Sequence, residues 1–444
     1  MLDIIAEAHR ASLKAGTPEM QKLFVMLKLL PQAELARTRP ALAFALVIDT
    51  SDSMREASGE GSGAARSAGS KIDRAMEAAH ALIDDRRLAP DDRVTIIHFD
   101  AHAHALLPLS PLRDKRAAHE AIDALQRHHG TTYMAQGMRC AGQQLAGLAP
   151  FIAKRVLLLS DGETADAEVC RGLAEQFANA NTPLISVGVG TDYNDALMRD
   201  VAQISQGRPY HLESINQLHE VLNTEVGSSV REVVTDLQAN ITTVKGVALD
   251  SVTRVYPSLS DAGRAGGIYR LGNIATGDYT VFILDVTISG ITHRPSRARL
   301  AQVSLTGHVP GGAQPVAFAA HDICVNFTVD EAATATVDME VLGYVQQKNV
   351  DRLVQAAVSE APADATRARH TLRSALGMTQ RMGNTAMTRM INKALDELDT
   401  TGALSPGTRK TVSLGVRTRT VKTSAADNLD NMPSDEVIRK LTGA

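Results

Sequence analysis

The sequence predicts an α/β fold: a doubly wound, mostly parallel sheet inserted in an antiparallel β-sandwich and followed by a C-terminal helical region. Three observations carry that prediction. Between residues 41 and 225, short apolar runs alternate with stretches of helical period. From 230 to 329 the chain turns to Val-, Thr- and Ile-rich runs separated by Gly/Pro clusters. From 335 to 398 helical spacing returns.

Taken in order, the segment 21–30 (QKLFVMLKLL) reads as a strand with no partner nearby. We expect it to pair with the later sandwich, which makes the α/β domain an insertion; the competing reading is an amphipathic helix covering the first domain. The runs 42–48 (LAFALVI), 94–99 (VTIIHF), 155–159 (RVLLL) and 184–189 (LISVGV) are almost continuously apolar, as strands covered on both faces must be. Between them Ile72, Ala75, Met76, Ala79, Leu82 and Ile83 fall on one helical face, and 134–148, 167–179 and 195–204 repeat the pattern more weakly. Runs at 233–244, 279–288, 297–306 and 316–329 supply the sandwich. Val341, Leu342, Val345, Val350, Leu353, Val354 and Ala357 outline one helix; Pro362 suits the first turn of a second, and Gly383-Asn384 breaks before a third. The expected boundaries are 1–40, 41–227, 228–330, 331–399, and a polar, disordered tail at 400–444.

Composition narrows the function. The 444 residues suit two or three domains at roughly 150 residues each. Aromatics are 3% with no Trp and the net charge is −4, which argues against a nucleic-acid partner. No apolar stretch reaches the length of a membrane span and no leader is visible, so a cytoplasmic protein without a membrane partner is expected. Cys140, Cys170 and Cys324 are too scattered for a disulfide framework and read as small buried hydrophobes in a reducing compartment.

The first apolar run ends in Asp49-Thr50-Ser51-Asp52-Ser53, a D-x-S-x-S loop. Gly130-Thr131-Thr132 precedes a helix, and the run 155–159 ends in Ser160-Asp161-Gly162. Three loops at the carboxyl edge of one parallel sheet converge on a point. They offer carboxylates and hydroxyls, the hard donors that suit Mg²⁺, with Mn²⁺ or Ca²⁺ in the same class, and that disfavour zinc.

In these three pieces, and in their order, the chain resembles the von Willebrand factor type A family with its metal-ion-dependent adhesion site, of the bacterial intracellular type. The resemblance covers about 41–225. It implies that Ser51, Ser53 and Thr131 give hydroxyls to the ion, with Thr132 the neighbour able to replace Thr131, while Asp49 and Asp161 act mostly through bound waters. Where the family carries Gly, this chain has Asp52; a Gly there would allow positive φ, and an extra carboxylate beside the cation would weaken recruitment of an acidic partner. A cation held mainly by neutral hydroxyls stays under-neutralised and keeps a position open to an anionic oxygen. The expected function is therefore non-enzymatic: docking a protein partner that presents Asp or Glu. The resemblance places it in signalling or stress response linked to Ser/Thr phosphorylation. An adaptor or substrate-recognition subunit for an AAA+ ATPase is the alternative. A metal-dependent hydrolase would need a general base these loops do not supply.

Four further features read as follows. His98, His102 and His104, with His128-His129, hint at a zinc or nickel site, but a two-residue spacing specifies no geometry and they are expected at the surface, with His129 at the rim of the adhesion site. The Gly/Ser/Ala-rich stretch 58–70 reads as a flexible loop or flap beside the metal loop. Lys154-Arg155 and the Arg-rich segment 367–381 read as solvated faces. In the tail, 407–423 (GTRKTVSLGVRTRTVKT) sets five basic residues among Thr408, Thr411, Thr418, Thr420 and Thr423, which suits a Ser/Thr kinase, a phosphatase and a phosphothreonine-binding protein as partners.

Overall fold

The computed structural model describes residues 2–32, 35, 39–56, 69–190, 193–212, 215–289, 295–312 and 314–423. Most of the 58–70 stretch and the last 21 residues, 424–444, lie outside the described residues. The chain divides into two units. One comprises Ala36–Asp236 with His308–Gln314, the other Met1–Leu35, Leu237–Gly307 and Pro315–Ala444.

The chain opens with β1 (Leu2–Ala8), β2 (Ser12–Lys14) and β3 (Gln21–Pro31), which belong to the second of these units. The α/β unit follows. Its strands are β4 (Leu42–Asp49), β5 (Arg93–Phe99), β6 (Ala103–Pro111), β7 (Ala153–Ser160), β8 (Leu184–Val189) and β9 (Pro209–Leu212). Its helices are α1 (Lys71–Ile83), α2 (Lys115–Asp123), α3 (Met134–Leu145), α4 (Ala167–Asn179), α5 (Asp195–Ile204) and α6 (Leu218–Ser229). The sheet order is β6-β5-β4-β7-β8-β9, with every pairing parallel except β5–β6. All eight residues of β4 are buried, and the pleat shares them between two cores. Phe44, Leu46 and Ile48 pack towards α1, α2 and α6, while Ala43, Ala45 and Val47 pack towards α3, α4 and α5. That two-sided burial is the reason the strand is apolar at every position before Asp49.

The rest of the chain supplies β10 (Glu232–Thr243), β11 (Val247–Tyr256), β12 (Ser260–Asp261), β13 (Arg264–Ala265), β14 (Ile268–Ala275), β15 (Thr280–Ile288), β16 (Ser296–His308), β17 (Val316–Ala317) and β18 (His321–Thr328). Strand β3 pairs antiparallel with β1 on one side and with β15 on the other, from Leu29 opposite Thr280 to Gln21 opposite Ile288. It stands in a five-stranded sheet, β1-β3-β15-β11-β12. A second, seven-stranded sheet runs β13-β14-β10-β16-β18-β2, with β17 paired to β16. It is not purely antiparallel, because β2 joins β18 in parallel.

Helices α7 (Glu331–Ala335), α8 (Met339–Glu360), α9 (Ala365–Arg381), α10 (Thr385–Thr401) and α11 (Pro406–Thr418) complete this unit. Val341, Tyr344 and Val345 of α8 lie on Phe24, Val281 and Ile283 of the five-stranded sheet. Pro362 falls in the turn before α9, whose N-cap is Asp364. Asn384 caps α10, as the break there suggests. The disordered tail expected from residue 400 is corrected over 406–423. Ser405 caps α11, Pro406 opens it, and Val412 and Val416 enter the core of the helical region. Thr408 and Thr423 are buried, and Thr411, Thr418 and Thr420 are half-buried. Phosphorylation of Thr408 or Thr423 would require local unfolding.

His9, in the bend after β1, is fully buried and accepts the Phe24 backbone N–H on Nδ1 at 3.0 Å. Burial, reinforced by Arg10, lowers its pKa from the ordinary 6.5 to about 4. The unfolded chain takes a proton near pH 6.5 that the folded one refuses. Its contribution is therefore complete above pH 6.5 and is lost as pH falls towards 4, an effect of about 3 kcal/mol. Urea unfolding across that window should show His9→Gln less acid-sensitive than the wild type; parallel pH profiles would contradict it.

Candidate metal and docking site

Three loops meet at the carboxyl end of the parallel sheet, and backbone chemistry ties them together. After β4 the chain makes a 3₁₀ turn, Asp52–Arg55. The Asp52 N–H donates to Gly130 O at 3.1 Å, joining the first loop to the second. Thr164 Oγ1 donates to Thr132 O at 3.2 Å and accepts the Met134 N–H at 3.1 Å. Asp166 accepts the Ala135 N–H at 3.0 Å. The third loop thus caps the helix that the second loop opens. Gly130, with φ +151°, stands where a Cβ would come within 3.4 Å of the Asp100 Cβ.

The side chains converge inside this frame. Asp49 is fully buried: Oδ1 accepts the Ser51 N–H at 2.9 Å and Oδ2 accepts the Ser160 hydroxyl at 2.5 Å. Ser51 and Ser53 hydroxyls lie 3.1 Å apart, and Ser53 donates to Asp161 Oδ1 at 2.7 Å. Of the two threonines, Thr132 turns inward. A Cβ built on Gly162 would meet Thr132 Oγ1 at 3.4 Å and Ser53 Oγ at 3.8 Å, whereas Thr131 is exposed. Of the two neighbours, it is therefore Thr132 whose hydroxyl lies near Ser53 and Gly162. Burial raises Asp49 to about 6 against the opposing hydrogen bonds from Ser160 and Ser51, and the Asp161 charge adds to the rise. Two carboxylates and three hydroxyls in a buried cradle fit a small hard cation, with Asp49 already engaged on both oxygens and so suited to act through water.

One participant was not legible in the sequence motif. Lys71, the first residue of α1, places Nζ 2.6 Å from Asp161 Oδ2 and 3.7 Å from Glu56. It is a tethered cation on the very carboxylate that a metal would draw on. Asp52, by contrast, has no positive φ and its side chain is 74% exposed, 3.8 Å from the equally exposed His129. The departure from Gly is accommodated because the loop turns without a left-handed residue.

Two surface expectations are corrected. Lys154 and Arg155 are buried: Lys154 reaches Ala180 O at 2.5 Å and Arg155 is paired with Glu232. His98 is also buried, at 2% exposure, while His102 and His104 are exposed. Burial, and then the facing His128, lowers His98 to about 4; burial likewise lowers His128. Among the cysteines only Cys170 is fully buried; Cys140 and Cys324 are half-buried, and all three are free.

A parallel-dominated sheet with helices on both faces and an oxygen-lined cradle at its carboxyl edge defines a Rossmann-like, doubly wound α/β class. Residues 44–224 match the model of the von Willebrand factor type A domain, and the chain carries that domain. An uncharacterised protein of Synechocystis is 25% identical over 313 residues, 68% of this chain and 70% of that one. Escherichia coli YfbK is 25% identical over 162 residues, which spans 35% of this chain and 28% of the relative. Among solved structures, a von Willebrand factor type A protein from Catenulispora acidiphila is similar at TM-score 0.78 and 19% identity, over 95% of this chain and 97% of that one. The ArnB paralog VWA2 from Sulfolobus acidocaldarius is similar at TM-score 0.60 and 14% identity, over 95% and 99%. These likenesses speak to the fold, and they extend beyond the α/β unit. No helix among the described residues is long and apolar enough to cross a membrane.

Proposed function

We propose that the type A domain is a protein-docking module that binds Mg²⁺ in the three-loop cradle and offers the ion's open position to an Asp or Glu of a partner. The observation that carries this reading is the convergence of Asp49, Ser51, Ser53, Thr132 and Asp161 on one point, joined by hydrogen bonds of 2.7 to 3.1 Å among Ser51, Ser53 and Asp161. Held by Ser51, Ser53 and Thr132, the cation would keep a position for an anionic oxygen. These groups suit binding rather than turnover, and the three free thiols fit a cytoplasmic protein, for which a role in bacterial signalling is our reading.

Lys71 adds a property to that function. Its ammonium must leave Asp161 for a divalent ion to collect the full charge of the carboxylate, so the resident cation sets a threshold for metal loading. In calorimetric titration, Lys71→Met should bind Mg²⁺ about tenfold more tightly than the wild type, the equivalent of one charge-assisted hydrogen bond. At a hundredfold excess over Kd, Mg²⁺ should stabilise the wild type by about 2.7 kcal/mol, and Asp161→Ala should abolish the shift. Melting curves for wild type and Lys71→Met that ignore both Mg²⁺ and EDTA would defeat the proposal.

A further inference from the structure

His98, Asp100 and His128 lie behind the second loop, and one ligand atom from each falls within 4.8 Å of the others. We infer that these three side chains form a second, separate metal site, selective for a zinc-class transition ion rather than Mg²⁺. The donor set differs in kind from the cradle beside it: two imidazoles and one carboxylate against hydroxyls and carboxylates.

The placement is the work of the fold. His98 is the penultimate residue of β5, Asp100 follows in the turn, and His128 arrives from the segment after α2. Asp100 is held on three sides. Its N–H donates to His102 O at 2.8 Å, its O accepts the Tyr133 N–H at 3.0 Å, and Oδ1 accepts the His102 N–H at 2.9 Å. Its other oxygen, Oδ2, faces His98 Nδ1 at 3.7 Å, too long for a hydrogen bond. The His98 and His128 rings stack with centroids 3.6 Å apart and planes at 24°. His128 is fixed through its carbonyl, which accepts from Arg55 at 2.9 Å. A tetrahedral ion with bonds of about 2.0–2.2 Å sets its ligand atoms roughly 3.3 Å apart, so small side-chain turns close the site.

Two further observations point the same way. His98 Nε2 is buried and has no hydrogen-bond partner among the described residues, a cost that a native interior rarely carries. His104, the cross-strand partner of His98, has its ring centroid 5.7 Å away and is exposed, so it can swing in as a fourth ligand.

The test uses the full chain, stripped of metal by chelator and dialysis, then titrated with Co²⁺ and with Zn²⁺. One equivalent should bind, Co²⁺ giving the intense visible bands of a low-coordinate site. His128→Asn, at a half-exposed position, should weaken Zn²⁺ binding by at least about tenfold, and His98→Gln should do the same. Asp161→Ala should leave Zn²⁺ binding intact, which separates this site from the Mg²⁺ cradle whatever the fate of that reading. A wild type that retains no Zn²⁺, or a His128→Asn variant that binds as tightly as wild type, would overturn the inference. So would binding lost in Asp161→Ala but kept in His128→Asn, which would assign the ion to the cradle.

Discussion

Gly207→Ala is expected to unfold the α/β unit or to cost it about 3 kcal/mol or more, the upper range for overpacking. The residue sits between α5 and β9, and its N–H donates to Ala202 O at 2.8 Å. A Cβ there would come within 1.9 Å of Leu184 O and 2.5 Å of Leu184 C. Both are backbone atoms at the start of β8, so no rotamer change relieves the overlap. Either β8 or the turn must move, and β8 is the neighbour of the strand that delivers Asp161. Gly172→Ala is the control: it lies within α4 with nothing within 4 Å of a new Cβ. There the substitution should stabilise by roughly 0.5–1 kcal/mol, because alanine loses less backbone freedom in a helix. Urea denaturation of the two variants should move in opposite directions; a Gly207→Ala protein with the wild-type midpoint would remove the close approach from consideration.

The second large effect is expected at Arg155. Its guanidinium is paired with Glu232 and donates to Lys154 O at 2.8 Å. Nearby, Glu225 accepts from Tyr210 at 2.6 Å and from Arg208 at 3.2 Å. Burial brings Arg155 down to about 10. Arg155→Met removes one member of a desolvated pair and leaves Glu232 buried without that guanidinium, which should cost about 3–5 kcal/mol. The double variant Arg155→Met/Glu232→Leu should recover most of that loss, since an apolar pair of similar volume replaces an ion pair without a desolvation cost. Equal destabilisation in single and double variants would mean that the methylene packing of Arg155, not its charge, is what matters.

The strands of the type A domain were legible because double burial writes itself as unbroken apolar runs. Edge strands were not. β6 (AHALLPLSP) mixes half-buried and exposed positions, has no fully buried residue and contains two prolines, so it carries no such run. β9 is four residues beginning with proline. The loops of the candidate site were legible as oxygen donors at strand ends, but motif spacing does not separate Thr131 from Thr132, which depends on which hydroxyl the turn faces inward. Lys71 was hidden because its partner Asp161 is 90 residues away and a low-complexity stretch precedes it. Arg155 misled for the same reason: a charge beside an apolar run looks solvated until Glu232, 77 residues on, is brought to it. In the tail, the basic and Thr-rich composition masked an N-cap and a proline start that are both present, at Ser405 and Pro406. The sandwich expectation reduces to two sheets with a parallel pairing in the second, contributed by the three-residue strand β2, too short to announce itself.

The pairing of β3 with β15 has a consequence for synthesis. β3 leaves the ribosome ahead of the type A domain, carrying Leu23, Phe24, Val25, Met26 and Leu27, all buried in the finished protein. Its neighbour from Thr280 to Ile288 is made about 250 residues later, and closing so wide a loop by diffusion adds little entropy but much delay. In the interval the whole type A domain can be born and reach its native state, while the host remains a sticky stub waiting for its other half. Nascent chains of this kind lean on holding factors at the exit tunnel, and translation speed between the two strands becomes a determinant of yield.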